Sequence, residues 1–265
     1  MSVKKEASGR RSIQVEVEVP GTPEEVWRAI ATGPGISSWF APAVFEERDG
    51  TPVALTTTLG AGMEFRAVVT AWDAPRRFVS EANGWFPGSP PVASEWTVEA
   101  RAGGVCVVRV VQSLFASTDD WDDQLIGAES GMPGAFRILR LYLTHFRGQR
   151  SAFMQFMTPV AGTPADAWAA LTKAMGIDGV GAGRNWAAPA GVPALGGVVE
   201  DVDQTPPGAL LRLDRPARGT AALFTMDLGE TVMAAFSFYF YGDQAAATVA
   251  REQPRWQAWV QERFA

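Results

Sequence analysis

The sequence predicts an α+β chain of two tandem domains, each an antiparallel sheet followed by a long C-terminal helix. Two observations carry this. The first is an internal repeat: Val19 to Ile36 lies on Val160 to Ile177 without a gap, with eight of eighteen positions identical. The identities are Val19/Val160, Gly21/Gly162, Thr22/Thr163, Pro23/Pro164, Trp27/Trp168, Ala29/Ala170, Gly35/Gly176 and Ile36/Ile177. The second is the order of patterns in each half, in which strand-like alternation runs for many residues and then gives way to a helical stripe.

The opening element is a half-buried strand. Ile13, Val15, Val17 and Val19 alternate with Gln14, Glu16 and Glu18, placing the apolar set on one face. Thr22 then reads as a helix N-cap with Pro23 at the first helical position and Glu25 completing a capping box. Thr163, Pro164 and Asp166 repeat that logic after the more apolar strand Phe153 to Val160. In the first half, Met63, Phe65, Ala67 and Val69 alternate with Glu64 and Arg66, and Asp73-Ala74-Pro75 turns the chain into a strand over Arg77 to Asn83. Ser94 to Ala100 and Val105 to Phe115 flank Gly103-Gly104, a hairpin signal. After Asp119 the pattern becomes helical, with Phe136, Leu139, Tyr142, Leu143 and Phe146 on one stripe. Pro133-Gly134 is expected to break or start this helix. The second half repeats the order in shorter form: strands over Gly197 to Val202, Ala209 to Asp214, Ala221 to Asp227 and Thr231 to Tyr241, then a helix over Asp243 to Phe264 with a kink at Pro254. The expected organisation is a flexible tail over 1–11, a first domain over 12–150 and a second, shorter domain over 151–265.

Bulk properties exclude several function classes. The 265 residues are 47% hydrophobic and 20% charged, a globular balance. No apolar run approaches the roughly 18 residues that span a bilayer, and the basic start (Lys4, Lys5, Arg10, Arg11) lacks the apolar core of a signal peptide. The single Cys106 cannot form an internal disulfide, which points to a reducing cytoplasm. The net charge of −6 divides equally between the halves, so neither offers the basic patch that a phosphate backbone demands. The expectation is therefore no nucleic acid, no membrane, no metal and no cofactor.

The residue order resembles a known family. The Thr-Pro-Glu-Glu-Val-Trp helix, Gly35-Ile36-Ser37-Ser38-Trp39-Phe40-Ala41-Pro42, Gly62-Met63-Glu64-Phe65, Asp73-Ala74-Pro75-Arg76-Arg77-Phe78 and Glu95-Trp96-Thr97-Val98-Glu99 follow one another as in the SRPBCC (START-like) superfamily, in its activator of heat-shock-protein-90 ATPase-like branch. The resemblance covers residues 12 to 147. Over 151 to 265 it rests on the repeated opening, the strand run and the final helix, and Asn185-Trp186-Ala187-Ala188-Pro189 is a loose substitute for the Trp-Phe-Ala-Pro motif. It implies two tandem helix-grip domains, each an antiparallel sheet curved around a long C-terminal helix with a cavity between them. It also implies binding of a small hydrophobic molecule. From that geometry the ligand-binding candidates are Trp39, Phe40, Met63, Phe65, Trp85, Trp96, Arg109, Phe136 and Tyr142.

Three functional readings follow from the resemblance: a carrier or sensor of a small hydrophobic molecule, a cyclase or hydrolase using cavity polar groups such as Arg109 or Glu95, and a co-chaperone-like interaction module. No convergent catalytic constellation is visible. His145 stands alone near a helix end, where the dipole favours a cationic ring. Asp119, Asp120, Asp122 and Asp123 read as a helix start, lacking the glycine and glutamate of a calcium loop. Gly179, Gly181 and Gly183 follow a helix instead of a strand, and position 184 is arginine, so they are no dinucleotide fingerprint. Arg109 and Gln112 fall on opposite faces of one strand, and parity alone leaves open which faces the cavity. Two such units in one chain mimic a homodimer, so a monomer with an intramolecular domain pair is expected.

Overall fold

A computed structural model describes residues 3–59, 63–84, 88–204, 207–227 and 231–264. The chain divides into two compact units, Met1–Gly148 and Gln149–Ala265.

In the first unit the elements run β1 (Lys4–Lys5), β2 (Arg10–Pro20), α1 (Pro23–Ile30), α2 (Gly33–Ser37), β3 (Ala43–Arg48), β4 (Thr51–Leu59), β5 (Met63–Asp73), β6 (Arg77–Ala82), β7 (Val92–Arg101), β8 (Val105–Phe115) and α3 (Asp122–His145). The strands form one antiparallel sheet in the order β1-β2-β8-β7-β6-β5-β4-β3. The second unit runs β9 (Ser151–Val160), α4 (Pro164–Met175), β10 (Asn185–Ala187), β11 (Gly196–Gln204), β12 (Pro207–Arg215), β13 (Gly219–Asp227), β14 (Val232–Tyr241) and α5 (Ala245–Phe264). Its sheet order is β10-β11-β12-β13-β14-β9. In both, the strand that leads into the capped helix pairs with the strand that precedes the closing helix. The architecture is α+β, two tandem helix-grip domains. Among the described residues no helix is long and apolar enough to cross a membrane.

The repeat is physical as well as textual. Thr22 and Thr163 take nearly the same N-cap conformation (φ −78°, ψ 160° and 163°), and both capping boxes close, with Glu25 and Asp166 as the third-residue partners. Trp27 and Trp168 are both buried at the same point of the capped helix. The shared Gly35/Gly176 pair, by contrast, serves two different needs. A Cβ on Gly35 would sit 1.9 Å from the Arg28 carbonyl oxygen, whereas Gly176 ends α4 with φ 66°, which favours glycine. Trp186, in the loose substitute motif, donates its indole N–H to the Met175 carbonyl at 2.9 Å, as Trp39 donates to Ala29 at 2.9 Å. Each tryptophan satisfies a carbonyl in the last turn of its domain's capped helix.

Three sequence expectations need correction. The segment up to residue 11 is not a free tail from Lys4 onward: β1 pairs with β2, and β2 begins at Arg10. Arg11 donates to Asp119 and Asp122, both at 2.6 Å, and Lys5 Nζ sits 2.9 Å from each carboxylate. Asp119 and Asp122 of the acidic run are thus held in a four-charge clasp between the first strands and the start of α3. Second, α3 runs unbroken through Pro133. Its N-terminal half is held by the clasp and by Leu125, which is fully buried against Ile13, Val92 and Leu114, and this offsets the roughly 3 kcal/mol that an interior proline costs. α5 is one helix with Pro254 inside it, as the sequence predicts. Third, β3 and β4 form a hairpin that the sequence reading does not assign. Its turn is Asp49-Gly50, both at positive φ (51° and 74°), a two-residue hairpin signal of the strongest kind.

The clasp has a pH signature. Lys5 and then Arg11 hold the Asp119 carboxyl below its ordinary value, and the same two cations, Lys5 first, do so for Asp122. Because the folded values are depressed, the stabilisation is present above the ordinary aspartate range near about 4 and is lost as pH falls through the folded values. Thermal unfolding followed from pH 5 downward is expected to show a shallower acid decline for the double variant Lys5→Gln, Arg11→Gln than for the parent. Parallel acid limbs would show that the clasp contributes nothing in water.

Candidate functional site

Strand parity defines the inner face of the first sheet. Cys106, Val108, Val110, Gln112 and Leu114 of β8 are all buried, while Arg109 and Phe115 on the alternate face are not. Through the register, Trp96 opposes Val110 and Phe78 opposes Trp96, so Phe78 and Trp96 share this inner face. A cavity of about 60 Å³ lies there, lined by Ile30, Ile36, Trp39, Phe40, Leu55, Thr57, Phe78, Trp96 and Met132.

The cavity's walls come from four places, each fixed locally. α1 and α2 supply Ile30 and Ile36, and the turn after α2 supplies Trp39 and Phe40. β4 supplies Leu55 and Thr57, β6 and β7 supply Phe78 and Trp96, and α3 closes over them with Met132. The aromatic rings brace one another. Phe78 and Trp96 stack nearly parallel (6.2 Å, 7°), and Trp39 meets Trp96 edge-on at 6.3 Å. Phe136 touches both tryptophans, at 6.4 Å and 6.0 Å. Such geometries are favourable beyond area burial alone. The lining is apolar except for Thr57. The pocket can hold an apolar group, and among the described residues its lining offers no charge to a bound molecule.

Of the residues singled out by sequence, Trp39, Phe40 and Trp96 line the cavity, and Phe136 backs it through its ring contacts. Phe65 opposes Thr57 on the neighbouring strand. Met63, at the start of β5, is 60% exposed and lies outside the lining. Tyr142 sits ten residues beyond Met132 along α3, about 15 Å away, where its hydroxyl accepts from the Gly148 amide. Arg109 is on the outer face and pairs with Glu16 at 3.1 Å. Glu95 also alternates outward from Trp96 and pairs with Arg77. Neither charged group is among the described residues that line the cavity. Trp85 and Gly62 lie outside the described residues.

Six lining residues escaped the sequence reading: Ile30, Ile36, Leu55, Thr57, Phe78 and Met132. Ile36 and Phe78 stand inside motifs already quoted, and their apolar character next to Trp39 and opposite Trp96 was the available signal. Leu55 and Thr57 sit on the unassigned hairpin, and Met132 just precedes the proline taken as a break.

Other chemically suggestive groups have structural roles. The Cys106 thiol donates to the Gly21 carbonyl, and burial, reinforced by Glu24 and Glu25, pushes its pKa up, away from thiolate chemistry. His145 is exposed in the last turn of α3. In the second unit a cluster of aromatic side chains packs between the sheet and α5. Trp256, fully buried, packs on Phe238 at 4.6 Å and on Trp259 at 5.4 Å, with Phe236 and Phe240 alongside.

The fold is that of a helix-grip protein, with an apolar cavity on the inner face of its first sheet. Residues 10–137 match the family model described as "Polyketide cyclase / dehydrase and lipid transport". No curated protein matches the chain. Solved structures with likeness to it include protein MLL2253 from Mesorhizobium loti, at 22% identity over 51% of this chain and 97% of that one (TM-score 0.44). Another is the di-domain ARO/CYC BexL from the BE-7585A biosynthetic pathway, at 12% identity over 91% and 88% (TM-score 0.45). A third is the Aha1 dimer from Colwellia psychrerythraea, at 16% identity over 50% and 95% (TM-score 0.39).

Proposed function

We propose that the first domain binds a small hydrophobic molecule between its sheet and α3, as a carrier or sensor. The observation that carries this is the apolar cavity walled by Trp39, Phe40, Phe78 and Trp96. The matched family covers both transport and cyclisation. The carrier reading is favoured because, among the described residues, the lining brings no acid, base or nucleophile pair to one point. At about 60 Å³ the cavity takes only a few ligand atoms as it stands. Met132 is unbranched and Phe40 half-buried, so these two side chains are the ones that yield to a larger ring.

Native mass spectrometry of the purified chain, before and after addition of 1-methylnaphthalene, tests the reading. A one-to-one adduct is expected on the parent. Leu55→Trp, which fills the cavity from β4, is expected to weaken it at least about tenfold, the scale of a pocket blocked by one extra side chain. Absence of any adduct on the parent, or equal binding by the filled variant, would overturn it.

A further inference from the structure

The inner face of the first sheet carries one polar row within an apolar surface. Gln112 of β8 opposes Ser94 of β7, and Ser94 opposes Ser80 of β6. On each strand this row lies two residues from the one that holds Val110, Trp96 and Phe78, so it borders the pocket on the same face. Gln112 is 9% exposed and Ser80 5%. Oε1 of Gln112 is buried and has no hydrogen-bond partner among the described residues. A second buried amide oxygen without a partner belongs to Gln124, in the first turn of α3. Leu125 beside it packs on Ile13, which opposes Gln112 across β2 and β8. Gln112 and Gln124 thus each carry a buried amide oxygen without a hydrogen-bond partner among the described residues.

Buried polar groups in folded proteins are paired, and one left unpaired marks either a cost or a partner that arrives from outside. We propose that Gln112 recognises a hydroxyl group on the bound molecule, making the ligand a hydroxylated hydrophobic ring compound, not a plain hydrocarbon. This rests on the pocket reading above. A hydroxyl donates to Oε1 and also accepts from the amide N–H of Nε2, so it satisfies the side chain in either amide orientation. A carboxylate cannot donate to Oε1, and among the described residues no cation lines the cavity to neutralise it. The ring system fills the apolar wall of Trp39, Phe78 and Trp96, and the hydroxyl reaches the polar row beside it.

The test is equilibrium dialysis of 1-naphthol and 1-methylnaphthalene, which share a ring and differ by hydroxyl against methyl. Both are measured on the full-length parent and on Gln112→Leu, with folding of the variant checked by thermal unfolding. Comparing the ratio of the two affinities between proteins cancels the probes' different hydration. The naphthol-to-methylnaphthalene ratio is expected to fall about tenfold in the variant, the scale of one buried hydrogen bond. If leucine prevents folding, Gln112→Met, unbranched and closer in shape, takes its place. An unchanged ratio with both probes still binding overturns the role of Gln112 and leaves the pocket standing. If the parent binds neither probe, the pocket reading fails and this inference with it.

Discussion

Replacing Trp39 by alanine is expected to destabilise the protein by about 3–5 kcal/mol, the range for emptying a large aromatic from a core. Trp39 is 2% exposed, and its ring touches Phe40, Trp96 and Phe136. Alanine would therefore leave a void next to an existing cavity, where neighbouring rings have little freedom to collapse. A second contribution is polar. The indole N–H donates to the Ala29 carbonyl at 2.9 Å, and α1 ends at Ile30, so that carbonyl has no amide partner within its own helix. Trp39→Phe keeps most of the ring and deletes only the donor, at an expected cost of about 1–3 kcal/mol for a buried acceptor left unmet. Urea unfolding of the parent and both variants measures the two steps separately. An alanine variant within about 1 kcal/mol of the parent would show that the ring is not part of the packed core.

What the sequence made legible follows from which physical signals are local. The alternation over Ile13 to Val19 and over Met63 to Val69 reports a sheet with one covered face, and the structure places both as strands, β2 and β5. The two Thr-Pro caps were readable because a capping box needs only four consecutive residues. The hairpin of β3 and β4 was missed although Asp49-Gly50 announces it, because Pro52 and the run Thr56-Thr57-Thr58 blur the alternation on either side. The break expected at Pro133 failed for a non-local reason: the proline's cost is local, while the burial of Leu125 and the pairing of Asp122 with Arg11 are set by β2, more than a hundred residues upstream. The candidate site divides along the same line. Trp39, Phe40 and Trp96 reach the cavity from motif positions. Arg109 missed it because the face of β8 that turns inward is decided by pairing with β2 and β7, and that pairing sends Gln112 inward instead.

Trp256 in the second domain provides the complementary experiment. It too is expected to cost about 3–5 kcal/mol when cut to alanine, since it is fully buried and its ring lies 4.6 Å from Phe238 and 6.3 Å from Phe236. Its polar side is the reverse of Trp39's. The Trp256 Nε1 is buried with no hydrogen-bond partner among the described residues, so the folded state already bears the penalty of an unmet donor. Trp256→Phe removes that donor along with one ring. The gain from deleting an unsatisfied group, about 1–3 kcal/mol, then opposes the loss of packing. The expected result is a phenylalanine variant within about 1 kcal/mol of the parent, clearly less destabilised than Trp39→Phe. Urea unfolding of the two phenylalanine variants side by side reads the difference, and packing losses of the same kind largely cancel between them. Equal destabilisation would mean that the indole N–H of Trp256 is satisfied in solution. In that case burial, not hydrogen bonding, would govern both tryptophans.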